Sequence, residues 1–579
     1  MQLPSEDYLL VAAIDFGTTY SGYAFSMRDE FQKDPLKIHT NQAWNAGSKQ
    51  LVSLKTPTCL LLNSEKKLEA FGYEAENKYA ELYMDDKHRD YYFFHRFKMT
   101  LHNTKKLTKE MLIEDITGKS ALAMDVFALS IQALMDHLLT LLETRGTGID
   151  MKEIQWVLTV PAIWTDGAKQ FMRRSAEMAG IGGDQLRIAL EPEAASIYCQ
   201  HLPCGRIKAS DDQNVEVAKV GTKYMVVDLG GGTADLTVHE KTNDGMLKEI
   251  CRASGGECGG TSVDAAFFQM LEGITGNEVI AALKHDHSDA YLDLCREFEG
   301  KKRSIVPEQT GKINIIIPFT ILNNLCQKHR NKDFGSLVEL WEHSAMLELR
   351  HDKLRIDAAH FISLFRPTIT KICQLINELL GRKNANGLTE LILVGGFSNC
   401  ALIQNSIKSK FPEQRIITSE DSELSIIKGA VIFGHQPGSV IARVAQFSYG
   451  FSIHKQFNPS VHDRKYMKMV DGKERCNKLF DCILKRDTII PTGTKTTKVY
   501  TKEPAHRDKT LKLFKSENEC PIYTDEDGCS LVGELSVDCM DRIKRLTVNV
   551  DIFFGETEIG VTITEHDSER VYSGTFDMV

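Results

Sequence analysis

The chain has 579 residues, 42% of them hydrophobic and 26% charged, with a formal net charge of −9. A length of this order accommodates about three or four domains of ordinary soluble composition. The acidic balance gives no field that attracts nucleic acid, and no run is read as the roughly 20 apolar residues that a membrane span requires. The 14 cysteines are scattered without a Cys-x-x-Cys pair, which points to reduced thiols and a cytoplasmic location. Residues 1–8 are polar and acidic and lack the pattern of a secretory leader.

The first organised stretch is Ala12-Ala13-Ile14-Asp15-Phe16-Gly17-Thr18-Thr19-Tyr20-Ser21-Gly22. It reads as an apolar strand, an acid, a glycine turn with two threonines and a second strand. A glycine turn leaves consecutive backbone N–H groups open to an anion. An aspartate at the rim of such a nest repels phosphate unless a cation lies between them, so this residue set points to a metal-bound phosphate. Residues 30–56 read as loop, and Lys66 to Lys78 leads into a helix. Phe93 to Lys98, aromatic and basic, reads as a packed helix with a solvated edge. Ala121 to Thr144 repeats apolar residues at helical spacing. Ile154 to Val160 is a buried strand stopped by Pro161, and Thr165-Asp166 caps a helix that ends at Gly180. Leu186 to Leu190 is a strand leading into Glu191-Pro192, where proline suits a first helical turn. Glu191 therefore stands at a strand-to-helix junction, a common place for a ligand-facing side chain.

Residues 201–221 are polar and read as a surface linker. The design of the first stretch then returns in Val226-Val227-Asp228-Leu229-Gly230-Gly231-Gly232-Thr233-Ala234-Asp235. One glycine corner is weak evidence. Two, each with an aspartate, at domain-sized separation predict two similar lobes facing each other across a nucleotide. Asn243-Asp244-Gly245 marks a hairpin, and Gly259-Gly260-Thr261 opens a helix with Thr261 as its expected N-cap. Cys295 to Arg303 is a charged helix, Leu391 to Val394 a strand running into Gly395-Gly396-Phe397-Ser398, and Leu424 to Phe433 an apolar helix. Beyond about residue 440 the segments become short, β-branched and turn-punctuated, as expected of a separate β domain.

These motifs, in this order over residues 8–435, resemble the seventy-kilodalton heat-shock chaperone family of the actin-like superfold. Gly22-Tyr23-Ala24-Phe25-Ser26 and Gly395-Gly396-Phe397-Ser398 are similar to a divergent branch of it. The resemblance implies an α/β actin-like two-lobed ATPase domain, then an all-β sandwich-like domain without a helical lid. It divides the chain into lobe I at 8–210, lobe II at 221–423, a helix returning to lobe I at 424–440, a basic linker at 441–450 and a β domain for a protein client or partner at 451–579. ATP or ADP and Mg²⁺ are the implied ligands.

Residue by residue, Gly17, Thr18, Thr19 and Tyr20 would contact phosphates from one lobe, and Gly230, Gly231, Gly232 and Thr233 from the other. Asp15 and Asp228 would hold Mg²⁺ through its waters. Glu191 would help place metal and attacking water, and Lys98 would orient that water. Glu299, Lys302 and Arg303 would grip adenosine, with Gly395, Gly396 and Ser398 closing the other side. Asn399 stands where the family places an arginine that stacks on adenine, which implies a looser base clamp. Asp235 is open between a general base and a hairpin-stabilising acid. A nucleotide-sensing scaffold with negligible hydrolysis remains the competing expectation. A small-molecule kinase of the same superfold is disfavoured by the β-rich residues 445–579, and no feature points to actin-like filaments.

Overall fold

The computed structural model describes residues 8–41, 44–45, 52–104, 106–203, 206–209, 219–470, 472–502, 510–536, 546–566 and 571–579. Two sheets are built on one plan. In the first, Leu186–Leu190, Ile154–Val160 and Leu10–Asp15 run parallel, and Tyr20–Met27 and His39–Thr40 continue antiparallel. In the second, Arg415–Ser419, Glu390–Val394 and Lys223–Leu229 run parallel, followed by antiparallel Ala234–Lys241 and Leu247–Gly256. The central strands are largely apolar and almost wholly buried, as expected of helix-covered parallel strands. The repeated aspartates occupy matching places: Asp15 lies opposite Gly22, and Asp228 lies opposite Asp235.

Each lobe has its own hydrophobic core. Ala123–Thr144 is long and apolar enough, by length and composition, to cross a membrane. Its apolar stripe, including Phe127, Ile131, Leu134 and Leu138, instead belongs to the lobe I core, so its hydrophobicity is that of an internal helix. The helix Ser425–His435 crosses Glu191–His201 so closely that a Cβ on Gly429 would stand 1.7 Å from the Ala194 carbonyl oxygen. Ile427, Val431 and Ile432 of that helix join the lobe I core.

Several local expectations change. Phe93 to Lys98 is not a helix: Tyr92–His95 is a strand paired with Cys59–Leu62, and Phe97–Met99 is one 3₁₀ turn. Arg96 between them has φ 54°, which no helix interior allows. The helix Gly260–Thr275 is capped by Gly259 rather than Thr261. Part of the polar stretch 201–221 is the strand Ile207–Ala209, paired with Arg415–Ser419; residues 204–205 and 210–218 lie outside the described residues.

Residues 441–450 do not hang free as a linker. Val440–Val444 is a strand that extends the lobe II sheet, parallel to Leu247–Gly256, and Ile489–Pro491 pairs on its outer edge. Thus Ile483 to Thr492, expected in the β domain alone, is divided between the two units. The physical cause is the buried Arg443, whose guanidinium donates to both Glu193 carboxylate oxygens at 2.7 and 2.8 Å and to the Gly555 carbonyl at 2.5 Å. The basic residue of the expected linker is thus part of a docked strand.

Among the described residues beyond 444, the regular elements are strands and one 3₁₀ turn at Arg464–Tyr466. A five-stranded sheet that includes Ser448–Gln456 and Thr510–Ser516, and a four-stranded sheet that includes Leu546–Phe554 and Gly560–Glu565, share one core around Phe451, Leu513, Val550 and Ile563. This unit also rests on lobe I. Arg173 forms a bidentate pair with Glu558, and Tyr449 donates to Asp166 at 2.9 Å.

Candidate nucleotide-binding site

The two glycine corners meet at the bottom of one crevice of about 290 Å³ between the lobes. Their approach is close enough to define the site. A Cβ on Gly231 would lie 2.4 Å from Thr19 Oγ1, and one on Gly232 would lie 2.8 Å from Thr18 Oγ1. Only glycine lets the two turns face each other at this range.

Each turn is also held from behind. The Gly17 carbonyl accepts from the Thr58 hydroxyl at 2.8 Å, and the Thr19 carbonyl accepts from the Thr58 amide at 2.9 Å. On the opposite side, the amides of Gly259, Gly260 and Thr261 donate to the carbonyls of Gly232, Gly230 and Gly231 at 3.1, 3.1 and 2.7 Å. The first turn of Gly260–Thr275 therefore takes up the loop's carbonyls. Donors in such a corner are left to an anion, which is the chemistry of a phosphate nest.

The crevice floor carries three buried carboxylates, Asp15, Glu191 and Asp228, and two buried lysines, Lys55 and Lys98, with a fourth buried carboxylate, Asp235, behind them. Lys98 Nζ donates to Glu191 Oε1 at 2.9 Å and sits 5.1 Å from the centre of the Trp164 ring. Burial pushes Glu191 up to about 7 against the pull of Lys98, with Asp15 and Asp235 adding repulsion. Burial would also raise Asp15, but Lys55 and Lys98 outweigh it and hold its carboxyl below the ordinary value. Asp228 is driven well above the carboxylate range by burial and by Glu191, Asp235 and Asp15 around it.

A divalent cation is implied by the fold. The residues fit one on the lobe II side, where Asp228 Oδ1 is buried without a hydrogen-bond partner. They fit less well on the lobe I side. There Asp15 Oδ2 accepts from Lys55 Nζ at 2.6 Å and Oδ1 accepts from Thr159 at 2.9 Å.

The upper crevice is lined by Tyr20, Glu299, Lys302, Arg303, Gly395, Gly396, Phe397, Asn399, Glu423 and Ile426. Lys302 Nζ donates to the Gly260 carbonyl at 3.1 Å and to Asp264 at 2.7 Å, so it locks the helix Ser288–Ser304 to its neighbour as well as lining the wall. Arg303 pairs with Glu299 at 2.8 Å, and its guanidinium lies 5.0 Å from the centre of the Tyr20 ring across the mouth. Lys302 and Arg303 overcome the upward push of burial and bring Glu299 down to about 2. Asn399 accepts from Ser422 at 2.5 Å and presents no planar cation to a base.

Two expected site residues stand behind the wall rather than in it. Asp235 accepts from the Thr233 hydroxyl at 2.7 Å and from the Ile163 amide at 3.1 Å, which stabilises the hairpin and ties lobe II to lobe I. Ser398 is fully buried and donates to the Gly395 carbonyl at 2.7 Å, which fixes the turn in which Gly395 has φ 85°. The remaining seventeen expected residues all line the crevice. Lys55 was not anticipated. It lies inside a run that reads as loop, and only the pairing of Thr56–Pro57 with Tyr20 and Ser21 carries it to the crevice.

Two lobes on one strand plan, closing on a nest-lined crevice, define an actin-like nucleotide-binding protein. A family model described as Hsp70 protein matches residues 98–339. Human heat shock 70 kDa protein 12B is 33% identical over 99% of this chain and 91% of its own length. Human heat shock 70 kDa protein 12A is 32% identical over 96% of this chain and 90% of its own, and its mouse counterpart 31% over 97% and 90%. The chain belongs to the Hsp70 family, in the branch of heat shock 70 kDa proteins 12A and 12B, and is an Hsp70-like nucleotide-binding protein.

Proposed function

We propose that this chain is a chaperone-like protein that binds ATP with help from Mg²⁺, hydrolyses it slowly and offers its C-terminal strands to a protein client or partner. The approach of Gly231 to Thr19 carries the reading, because it brings both glycine corners onto one crevice shared by the two lobes. A ligand that touches both nests binds the closed crevice better than an open one and so shifts the population toward closure.

Asp228 is the residue that would hold the metal through water, and the ion would neutralise charge developing on the phosphates. Glu191 keeps Lys98 in place and, with its value near neutrality, can exchange a proton with an attacking water. Lys98 then directs its positive charge at the phosphate end of the crevice. Asp235 contributes position through its hydrogen bonds from Thr233 and Ile163.

The state of the crevice has a short route to the C-terminal unit. Glu191 and Glu193 share one helical turn; the first meets Lys98 and the second meets Arg443 on the docked strand. The scaffold reading, in which ATP binds but is hardly hydrolysed, is supported by the occupation of Asp15 by Lys55. Single-turnover hydrolysis with the wild type and Lys98→Ala separates the two. A measurable wild-type rate that the variant abolishes supports the ATPase; a wild type no faster than Asp15→Ala supports the scaffold.

A further inference from the structure

The lobe I side of the crevice contains a cation of the protein's own. Lys55 is buried, lines the crevice together with Thr18, Thr19 and Gly231, and pairs with Asp15 at 2.6 Å. Its place is built. The backbone on its C-terminal side is pinned by pairing with the first phosphate loop's own strand, Ser21 opposite Thr56 and Tyr20 opposite Pro57. Its stem crosses Gly22, where a Cβ would stand 3.2 Å from Lys55 Cγ. In the matching register of lobe II the residue is Asp235, not glycine. Lobe I thus carries no side chain at the position over which the lysine passes.

We propose that Lys55 is a resident cation of the nucleotide site, seated on Asp15 beside the terminal phosphates, so that nucleotide binding does not depend on a divalent ion. The inference rests on the nucleotide reading above. Its physical basis is the repulsion between an aspartate at the rim of a nest and an incoming phosphate. An ammonium on that aspartate cancels its charge and, with three donors, can serve Asp15 and a phosphate oxygen together. Such charge-assisted hydrogen bonds in a buried site are the stronger kind. Magnesium on the Asp228 side then adds to a site already competent to bind.

The test is equilibrium titration of the full chain with ATP and with ADP, in magnesium and in EDTA. The wild type is expected to keep its ATP affinity within about tenfold when magnesium is removed, whereas Lys55→Met falls by about a hundredfold or more and regains binding with magnesium. Lys55→Arg, which keeps the charge, is expected to hold more affinity in EDTA than Lys55→Met. Thermal melting of each nucleotide-free protein reports whether the variants fold. If Lys55→Met does not, the wild-type arm still decides: a hundredfold loss in EDTA overturns the inference. So does a Lys55→Met protein with the wild-type metal response. A wild type that binds neither nucleotide under either condition defeats the nucleotide reading itself, and the inference with it.

Discussion

The docked strand Val440–Val444 carries a buried ion pair in addition to its sheet ladders, and that pair can be weighed. Arg443 and Glu193 are both almost wholly buried, and the guanidinium meets the carboxylate in a two-point fork while also serving the Gly555 carbonyl. Arg443→Met would remove all three hydrogen bonds and leave Glu193 charged and without this partner in a dry site. Breaking a buried pair from one side costs about 3–5 kcal/mol. A solvent-exposed pair would cost about 0–1 kcal/mol. Urea denaturation followed by tryptophan fluorescence, to which Trp156 and Trp164 buried in the lobe I core contribute, reads the difference. Limited proteolysis across 441–492 reads whether the strand has left the sheet. The double variant Glu193→Met with Arg443→Met removes both charges, and it is expected to be more stable than either single variant. A cost below about 1 kcal/mol for Arg443→Met, with unchanged cleavage, would mean that the strand is held by its ladder alone and that the proposed route from crevice to C-terminal unit is wrong.

Other expectations follow from the same structure. Burial, aided by Glu193, raises Glu249 from 4.5 to about 8. The folded state therefore holds this proton more tightly than the unfolded chain, and stability falls as pH rises through that window, by at most about 1.4 kcal/mol per pH unit. Glu249→Gln should flatten the fall and stabilise the protein at the alkaline end; an unchanged pH profile by thermal melting would contradict this. Asp228→Asn should stabilise the nucleotide-free protein by about 1–3 kcal/mol, since it removes one of four crowded carboxylates, while weakening ATP binding; a lower melting temperature without nucleotide would refute the crowding argument. With Asn399 turned to Ser422, a bound base would meet no stacking guanidinium on that side. Competition experiments should find GTP within about tenfold of ATP, and a strong adenine preference would show that another group supplies the clamp.

How much of this was legible in the sequence depended on how local each signal was. The two Asp-x-Gly corners write their own turns, so Asp15, Asp228 and the glycines could be placed from residue type and spacing, and the duplicated strand plan followed from having two of them. Lys55 could not be placed, because its approach to Asp15 is set by strand pairing beyond its own segment. The docking of the 441–450 linker was illegible for a related reason. A short basic run between two domains reads as a linker, and only the fold brings Glu193 and a sheet edge to it. Asp235 and Ser398 have suitable chemistry and proximity, but their side chains turn inward to satisfy the hairpin and the Gly395 turn. Phe93 to Lys98 was misjudged because its aromatic residues alternate across a strand and do not mark a helix face.

The central claim is that two glycine corners hold one triphosphate between the lobes. Calorimetric titration with ATP tests it most directly, using the wild type and Gly231→Val, whose branched side chain would enter the space now shared with Thr19 Oγ1 at 2.4 Å from a Cβ. The account predicts one ATP per wild-type chain and at least about a hundredfold weaker binding in a variant that still melts cooperatively. Wild-type affinity retained in Gly231→Val would contradict it.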